Sequence, residues 1–287
     1  MTMEVDVATL SEGARAIRER IMAEMRSEGT APTIAQLLSE FAMSDEELAP
    51  LLRDLEGAIC VARQDEEHAE SAIFQGEVLT ARQPRLGELV YARPFATFKN
   101  HYAITVEGRQ KWYAECAVEA CAISGQFPGA EVIVDSVCRQ TRQPVRLVGQ
   151  DGVLVDYSPQ TLRVHLGYPI REMPHRVVGW CDYNSFFASE DAANQWKAEH
   201  PGLAGITRSP VEMARLVTGS IAQGRHDYSY QPHLPVLTMA RQLRQMGLTR
   251  ATWLGFHLPD PFWLPTPKML WSWRRNGLGN FVRLRFH

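Results

Sequence analysis

Residues 112–124 read WYAECAVEACAIS. With the three residues before them they follow Gly108, and the run RQKWYAECAVEACAIS reads as a helix over 109–124. On a helix, Cys116 and Glu119 are three residues apart and share a face. Cys121 lies ~140° round the axis from Cys116 and points elsewhere. The shared face sets a thiol beside a carboxyl group. A thiol, with an ordinary pKa of about 8.5, needs a proton acceptor to become a good metal ligand near neutrality. Burial raises a carboxyl group into the range where it can accept that proton. Such a pair can pass a proton from sulfur to carboxylate to a third atom. The spacing alone is equally that of a small core cysteine and a solvated glutamate.

The flanking sequence is rich in short β-forming runs separated by turn residues: HYAITV (101–106), AEVIVDSV (130–137), PVRLVG (144–149), GVLVDY (152–157), TLRVHL (161–166) and VVGWC (177–181). Residues 73–106 are irregular or strand-like, punctuated by Gly76, Pro84, Gly87 and Pro94. Ser189 stands as the cap of a helix through EDAANQWKAE, and Ser209-Pro210-Val211-Glu212 opens another. Beyond residue 222 the texture changes. HLPVLTMARQLRQMG reads as helix, ATWLGFHLP as extended chain, and Trp253, Trp263, Trp271 and Trp273 cluster in a segment that could form an apolar lid or simply bury a subdomain.

On the N-terminal side, residues 8–28 carry Ile17, Ile21 and Met25 on one helical face, ended by Gly29. Thr33–Gln36 and Ser44–Glu47 are capping boxes opening TIAQLLSEF and DEELAPLLRDL, the second interrupted by Pro50. GAICVA then reads as a strand. Three helices and a strand resemble a winged helix. The charge speaks against DNA: residues 1–72 carry 16 acidic and 6 basic residues, without the lysine and arginine footprint that phosphates demand. Residues 241–287 carry 8 basic and 1 acidic, so the two ends could pack on each other.

At 287 residues, 45% hydrophobic and 22% charged, the chain is ordinary for a globular protein. The N-terminal residues have no apolar stretch of the secretory kind, and no run of ~18 apolar residues suggests a membrane span. The expected compartment is the cytoplasm, where the five cysteines, Cys60, Cys116, Cys121, Cys138 and Cys181, stay thiols. No CxxC pair and no HExxH spacing is present, so His165, His175, His226, His233 and His257 read as surface or structural.

The segment from Tyr102 to Leu216 resembles the organomercurial (alkylmercury) lyase family, MerB. That family shows Tyr-Ala-x-Cys-Ala-x-Asp; this chain has Tyr113-Ala114-Glu115-Cys116-Ala117-Val118-Glu119. It carries a third cysteine before a turn and Pro-Val, as Cys138 stands before Pro144-Val145. It then has Phe-Cys-Cys-His-x-His-Phe-Phe-Ala-Ser, against Trp180-Cys181-Asp182-Tyr183-Asn184-Ser185-Phe186-Phe187-Ala188-Ser189, with Trp196 and His200 at similar spacing beyond.

The resemblance implies an α+β fold in a chain of three parts. A winged-helix-like domain covers 1–75 and a mixed-sheet catalytic domain 76–222, while the third part, a Trp-rich basic extension over 223–287, is appended and has no counterpart in the resemblance. It implies Cys116 and Cys181 as catalytic, mercury-binding cysteines and Glu119 as the proton shuttle, with Cys138 structural. Cys60 and Cys121 match nothing catalytic. The reaction implied is protonolysis of a carbon–mercury bond to a hydrocarbon and Hg(II). It needs no organic cofactor, mercury entering as substrate and leaving to cellular thiols. No nucleic acid or membrane is involved. Two departures stand out: Glu119 adds a methylene to the family's Asp, and Asp182 replaces its second adjacent cysteine. Asp182 is a further candidate metal ligand and an anion that raises the Cys181 thiol. Two other readings remain open: the same fold working on a different organic substrate, and a soft-metal (mercury or copper) binder without turnover.

Overall fold

The computed structural model describes residues 3–6, 10–57, 60–63, 87–169, 181 and 183–219, with 244, 249–251, 257–259 and 283–286 in the C-terminal stretch. The N-terminal part runs β1 (Met3–Asp6), α1 (Glu12–Glu28), α2 (Ile34–Phe41), α3 (Asp45–Gly57) and β2 (Val61–Arg63). Then come β3 (Leu89–Ala92), β4 (Phe95–Ala96), β5 (Ala103–Val106), β6 (Arg109–Ala114) and the short α4 (Ala117–Ala120). β7 (Glu131–Val137), β8 (Pro144–Gln150), β9 (Val153–Ser158), β10 (Arg163–Pro169) and β11 (Ser185–Phe187) follow. The last elements are α5 (Glu190–Glu199), β12 (Leu203–Arg208), α6 (Pro210–Gly219), β13 (Thr249–Ala251), β14 (His257–Pro259) and β15 (Arg283–Phe286).

One sheet of eight strands runs in the order β2-β3-β4-β6-β5-β7-β8-β9, and a second runs β11-β10-β12. Every pairing in both is antiparallel, so the expected mixed sheet is instead antiparallel throughout the described residues. Tight hairpins explain this. Glu107-Gly108 joins β5 to β6 with φ of 49° and 75°, and Asp151-Gly152 joins β8 to β9 with φ of 50° and 79°. Positive φ at both central residues gives a turn whose twist matches that of the strands it connects.

The first hairpin corrects the helix expected over 109–124. Residues 109–114 return antiparallel along β5, with Trp112 and Ala114 buried and Lys111 and Tyr113 only half so. The period is two rather than 3.6, and the aromatic pair Trp112-Tyr113 suits a pleated surface. Only Ala117–Ala120 is α-helical, followed by a 3-10 turn over Ile123–Gln126.

The N-terminal helices form as their caps dictate. Ser11 accepts from the Ala14 N–H, and Thr33 and Gln36 make both arms of their capping box. Ser44 N–H donates to Glu47 at 2.8 Å, and α3 continues through Pro50. α1 buries Ala14, Ile17, Ile21, Met22 and Met25, and its end is tied to the neighbouring strand. Trp112 Nε1 donates to the Met25 carbonyl at 2.7 Å, and Lys111 Nζ to that of Ser27 at 2.6 Å. Arg26 Nε reaches the Gln126 carbonyl at 2.6 Å. Carbonyls of a last helical turn are short of partners, and β6 adds donors here, the Met25 carbonyl also accepting from the Gly29 N–H at 3.0 Å. The larger of two apolar clusters among the described residues runs from Leu10 and Leu37 through Ile104, Trp112 and Leu147 to Phe186 and Met213, and a smaller one gathers Ala62, Val90, Tyr91 and Ala96.

β11 pairs with β10, setting Phe186 opposite Val164 and Phe187 opposite Arg163. Both phenylalanines are fully buried, worth roughly 1.5–3 kcal/mol each. Ser189 then accepts from Ala192 N–H to start α5, whose Trp196 packs on Phe187. Ser209 and Glu212 cap α6 reciprocally. At the chain ends β1 pairs with β15, Glu4 opposite Arg285 and Asp6 opposite Arg283, so oppositely charged residues share a register. Of the helix expected at 233–247 only Arg244 is described, and the four tail tryptophans lie outside the described residues. Among the described residues no helix is long and apolar enough to cross a membrane.

Candidate functional site

Cys116 stands at the junction of β6 and α4. Its backbone is still extended, at φ −157° and ψ 176°, while its carbonyl already accepts from the Ala120 N–H at 3.0 Å. Its side chain makes no capping bond to the helix. The sulfur instead receives the side-chain amide of Asn184 at 3.5 Å. Asn184 is a hub: Oδ1 accepts from the Gly167 N–H at 3.0 Å, its carbonyl from the Tyr102 hydroxyl at 3.0 Å, and its N–H donates to the Cys181 carbonyl at 3.1 Å. Tyr102 is in turn placed by Asn100, whose Oδ1 takes the Tyr102 N–H at 2.8 Å. The turn before β11 thereby brings Cys181 close to Cys116, with Asn184 holding the sulfur of Cys116 and the carbonyl of Cys181. Both are almost wholly buried.

A second pair of side chains completes the site. Glu115, 0% exposed, and Arg93, 6% exposed, come from neighbouring chain segments joined by the Glu115 N–H to Pro94 carbonyl bond of 2.9 Å. Arg93 Nη2 donates to Glu115 Oε1 at 2.6 Å and lies 3.6 Å from the Cys181 sulfur. Cys181 donates to the same Oε1 at 3.0 Å. Burying one of these charges without the other would cost about 3–5 kcal/mol.

The electrostatics follow from this packing. Burial works against the Arg93 charge, but Glu115, then Cys181, Glu119 and Cys116, outweigh it and raise the guanidinium further. Cys116 is the main cause holding the Cys181 thiol well above its usual range, reinforced by burial and by Glu115, with Arg93 opposing. Cys181 therefore stands at neutral pH as a thiol whose proton points at a carboxylate. Burial, then Cys116 and Glu119, push Cys121 up as well, and its sulfur turns to the Ala117 carbonyl at 3.2 Å, away from the pair.

Of the residues singled out from sequence, Cys116 and Cys181 are brought together. Glu119 lies in the third position of α4, buried, and acts electrostatically on Arg93. Asp182 lies outside the described residues. Cys138 is buried at the β7–β8 turn, taking the Thr141 N–H on its sulfur at 3.4 Å, and Cys60 is buried beside β2. All five cysteines are free thiols. Glu115, Arg93 and Asn184 were not foreseen. The signal for the first two was charge within apolar runs, LVYARPFA and YAECA. Charge in such a run is rarely buried without a partner. Among the described residues no group of three or more His, Cys, Asp or Glu gathers as a metal cluster.

The sequence model of the alkylmercury lyase family, MerB, matches residues 95–221. Over these residues the chain is similar to the alkylmercury lyase family. The alkylmercury lyase of Bacillus cereus is 33% identical over 98 residues, and that of Clostridium butyricum is equally similar. Those 98 residues are 34% of this chain, and the match spans 44% of the length of each relative. The crystal structure of the mercury-bound form of MerB2 shares the fold, with a TM-score of 0.53 at 20% identity, covering 72% of this chain and 88% of that one. The alkylmercury lyase match contains Cys116, Glu119 and Cys181, together with Glu115 and Asn184. Arg93 lies just ahead of it.

Proposed function

We propose that the chain is an organomercurial lyase-like enzyme that protonates a carbon–mercury bond, releasing a hydrocarbon and Hg(II). The observation that carries this reading is the burial of Cys116 and Cys181 together, both held by Asn184, beside the buried carboxyl groups of Glu115 and Glu119. Mercury is a soft cation for which thiolates are the preferred ligands. Cys116 forms the first sulfur–mercury bond, displacing the thiol that carried the organomercurial. Cys181 forms the second as its S–H bond breaks, and the added electron density weakens the mercury–carbon bond. Glu119 is the proposed shuttle: it relays the thiol proton to the departing carbon, whose new C–H bond takes the electron pair of the broken mercury–carbon bond. Holding thiols, carboxyl and substrate together removes much of the entropic barrier.

Hg(II) stays on the two sulfurs until a cellular dithiol removes it, and the scheme requires no organic cofactor. Asp182 is proposed as an auxiliary oxygen ligand beside Cys181. The acidic region 1–75, which carries α1, α2 and α3, serves as a packing unit rather than a nucleic-acid or membrane module, and the protein works in the cytoplasm. The α1 carbonyls held by β6 support the packing role.

The test is turnover of phenylmercury or methylmercury with excess thiol, following benzene or methane by gas chromatography. Multiple turnovers lost in Cys116→Ala, Cys181→Ala and Glu119→Gln are expected. Stoichiometric mercury retention without hydrocarbon would mark a soft-metal binder. Neither product nor retention would assign the fold to another organic substrate.

A further inference from the structure

The cysteine pair has a side on which the resemblance assigns no residue. Position 115 falls at an unspecified place in the family's Tyr-Ala-x-Cys run, and Arg93 lies outside the quoted motifs altogether. Yet these two make polar contacts to the Cys181 sulfur. Glu115 Oε1 accepts from it at 3.0 Å, and Arg93 Nη2 lies at 3.6 Å while donating to the same oxygen at 2.6 Å. The three atoms close a triangle.

The pair is anchored at its own backbone. Arg93 N–H donates to the Cys60 carbonyl at 3.0 Å and Glu115 N–H to the Pro94 carbonyl at 2.9 Å, so both side chains rise from strand-bound residues of the large sheet. Cys181 precedes β11 in the smaller sheet. The triangle is thus a bridge between the sheet that carries Cys116 and the segment that carries Cys181. An ion pair taken out of water is a poor source of stability, because desolvation offsets the attraction. Its retention against a sulfur calls for another reason.

We propose that Arg93 and Glu115 are positioning residues of the mercury site, a buried ion pair that aims the Cys181 sulfur at Cys116 so that both bind one mercury atom. The inference rests on the two-sulfur site of the proposed function but not on turnover. Groups that orient metal ligands from behind typically cost 10–100-fold in affinity or activity when removed. Arg93 is suited to the task because its planar fork holds direction as well as charge, which a lysine does not. Glu115 fixes the sulfur from one side and the guanidinium from the other.

The experiment uses the full chain and inorganic Hg(II), with affinity read by competition against dithiothreitol and coordination by the ultraviolet thiolate-to-mercury charge-transfer band. Arg93→Met and Glu115→Gln are each made alone and in a Cys181→Ser background. Alone, each is expected to weaken retention 10–100-fold and to diminish the two-sulfur band, with Arg93→Lys failing to restore either. In the Cys181→Ser background the same changes should have no further effect. Equal losses in both backgrounds would overturn the proposal, since the pair would then act on the fold and not through Cys181. Glu115→Gln preserves shape and carries the test if Arg93→Met fails to fold. Wild-type retention no tighter than that of Cys181→Ser would remove the two-sulfur site and this inference together. Two-sulfur retention that obeys the expected pattern without hydrocarbon release would leave the inference standing and the lyase reading overturned.

Discussion

The side-chain amide of Asn184 donates to the Cys116 sulfur at 3.5 Å while its own Oδ1 is held by the Gly167 N–H at 3.0 Å. The residue beside one catalytic candidate is thereby locked to β10 and, through its N–H, to the carbonyl of Cys181. Replacing Asn184 with Ala orphans the buried Gly167 donor and should destabilise the fold by about 1–3 kcal/mol, read as a shift of the urea midpoint. The same change should lower kcat/KM for phenylmercury by roughly 10–100-fold. Asn184→Asp keeps an acceptor for Gly167 but no donor for the sulfur. It should recover stability better than activity, and equal recovery of both would show that the amide does nothing particular for Cys116.

Glu119 is buried in the first turn of α4, where a change of arm length moves its carboxyl group relative to the sulfurs. Glu119→Gln should reduce hydrocarbon release by about 10²–10⁴-fold, the usual contribution of a positioned acid or base, with Hg(II) retention kept. Glu119→Asp should cost on the order of 100-fold, since a displacement of ~1 Å suffices for that. Wild-type release from Glu119→Gln would move the shuttle to another group, and Glu115 is the carboxylate that touches a sulfur.

Gly29 ends α1 at φ 72°, and a Cβ there would lie 2.5 Å from the Lys111 carbonyl oxygen. The left-handed conformation alone costs a non-glycine residue about 1–2 kcal/mol, and the clash adds to it because the obstacle is backbone. Gly29→Ala should therefore destabilise by more than about 2 kcal/mol, measured by denaturant titration. It should also loosen the Trp112–Met25 bond, visible as a change in tryptophan fluorescence. A stability within experimental error of wild type would mean that α1 does not dock on β6 in this way.

His165, 1% exposed between β11 and β12, binds Thr207 Oγ1 through Nδ1 at 3.0 Å and packs edge-on to Trp196. Burial, then the charges of Lys197 and Arg139, push its pKa down from 6.5 to about 4. Between those values the unfolded chain binds the proton and the folded one does not, so stability rises with pH. The contribution is complete above pH 6.5 and is lost as pH falls toward 4, where it amounts to roughly 3 kcal/mol at about 1.4 kcal/mol per unit. Urea midpoints compared at pH 7.5 and 5 should fall more for wild type than for His165→Gln. Parallel falls would exclude His165 as the cause.

Local sequence determined much of this protein. Helix caps at Thr33, Ser189 and Ser209 and the strand pattern of 131–157 depend on neighbours a few residues away and are readable in order, whereas the hairpin turn at Glu107-Gly108 is not. The motif around Cys116 and Cys181 was legible for the same reason, as spacing along the chain. Even so, local preference misleads over 109–114, because Arg, Gln, Lys and Ala favour a helix on their own. The hairpin with β5 and the burial of Trp112 under α1 overrode that preference. The approach of the two cysteines, and the Arg93–Glu115 pair behind one of them, join residues 22 to 88 positions apart. No periodicity reports such a contact. Only the folded chain, which removes these charges from water and must then pair them, decides where they meet.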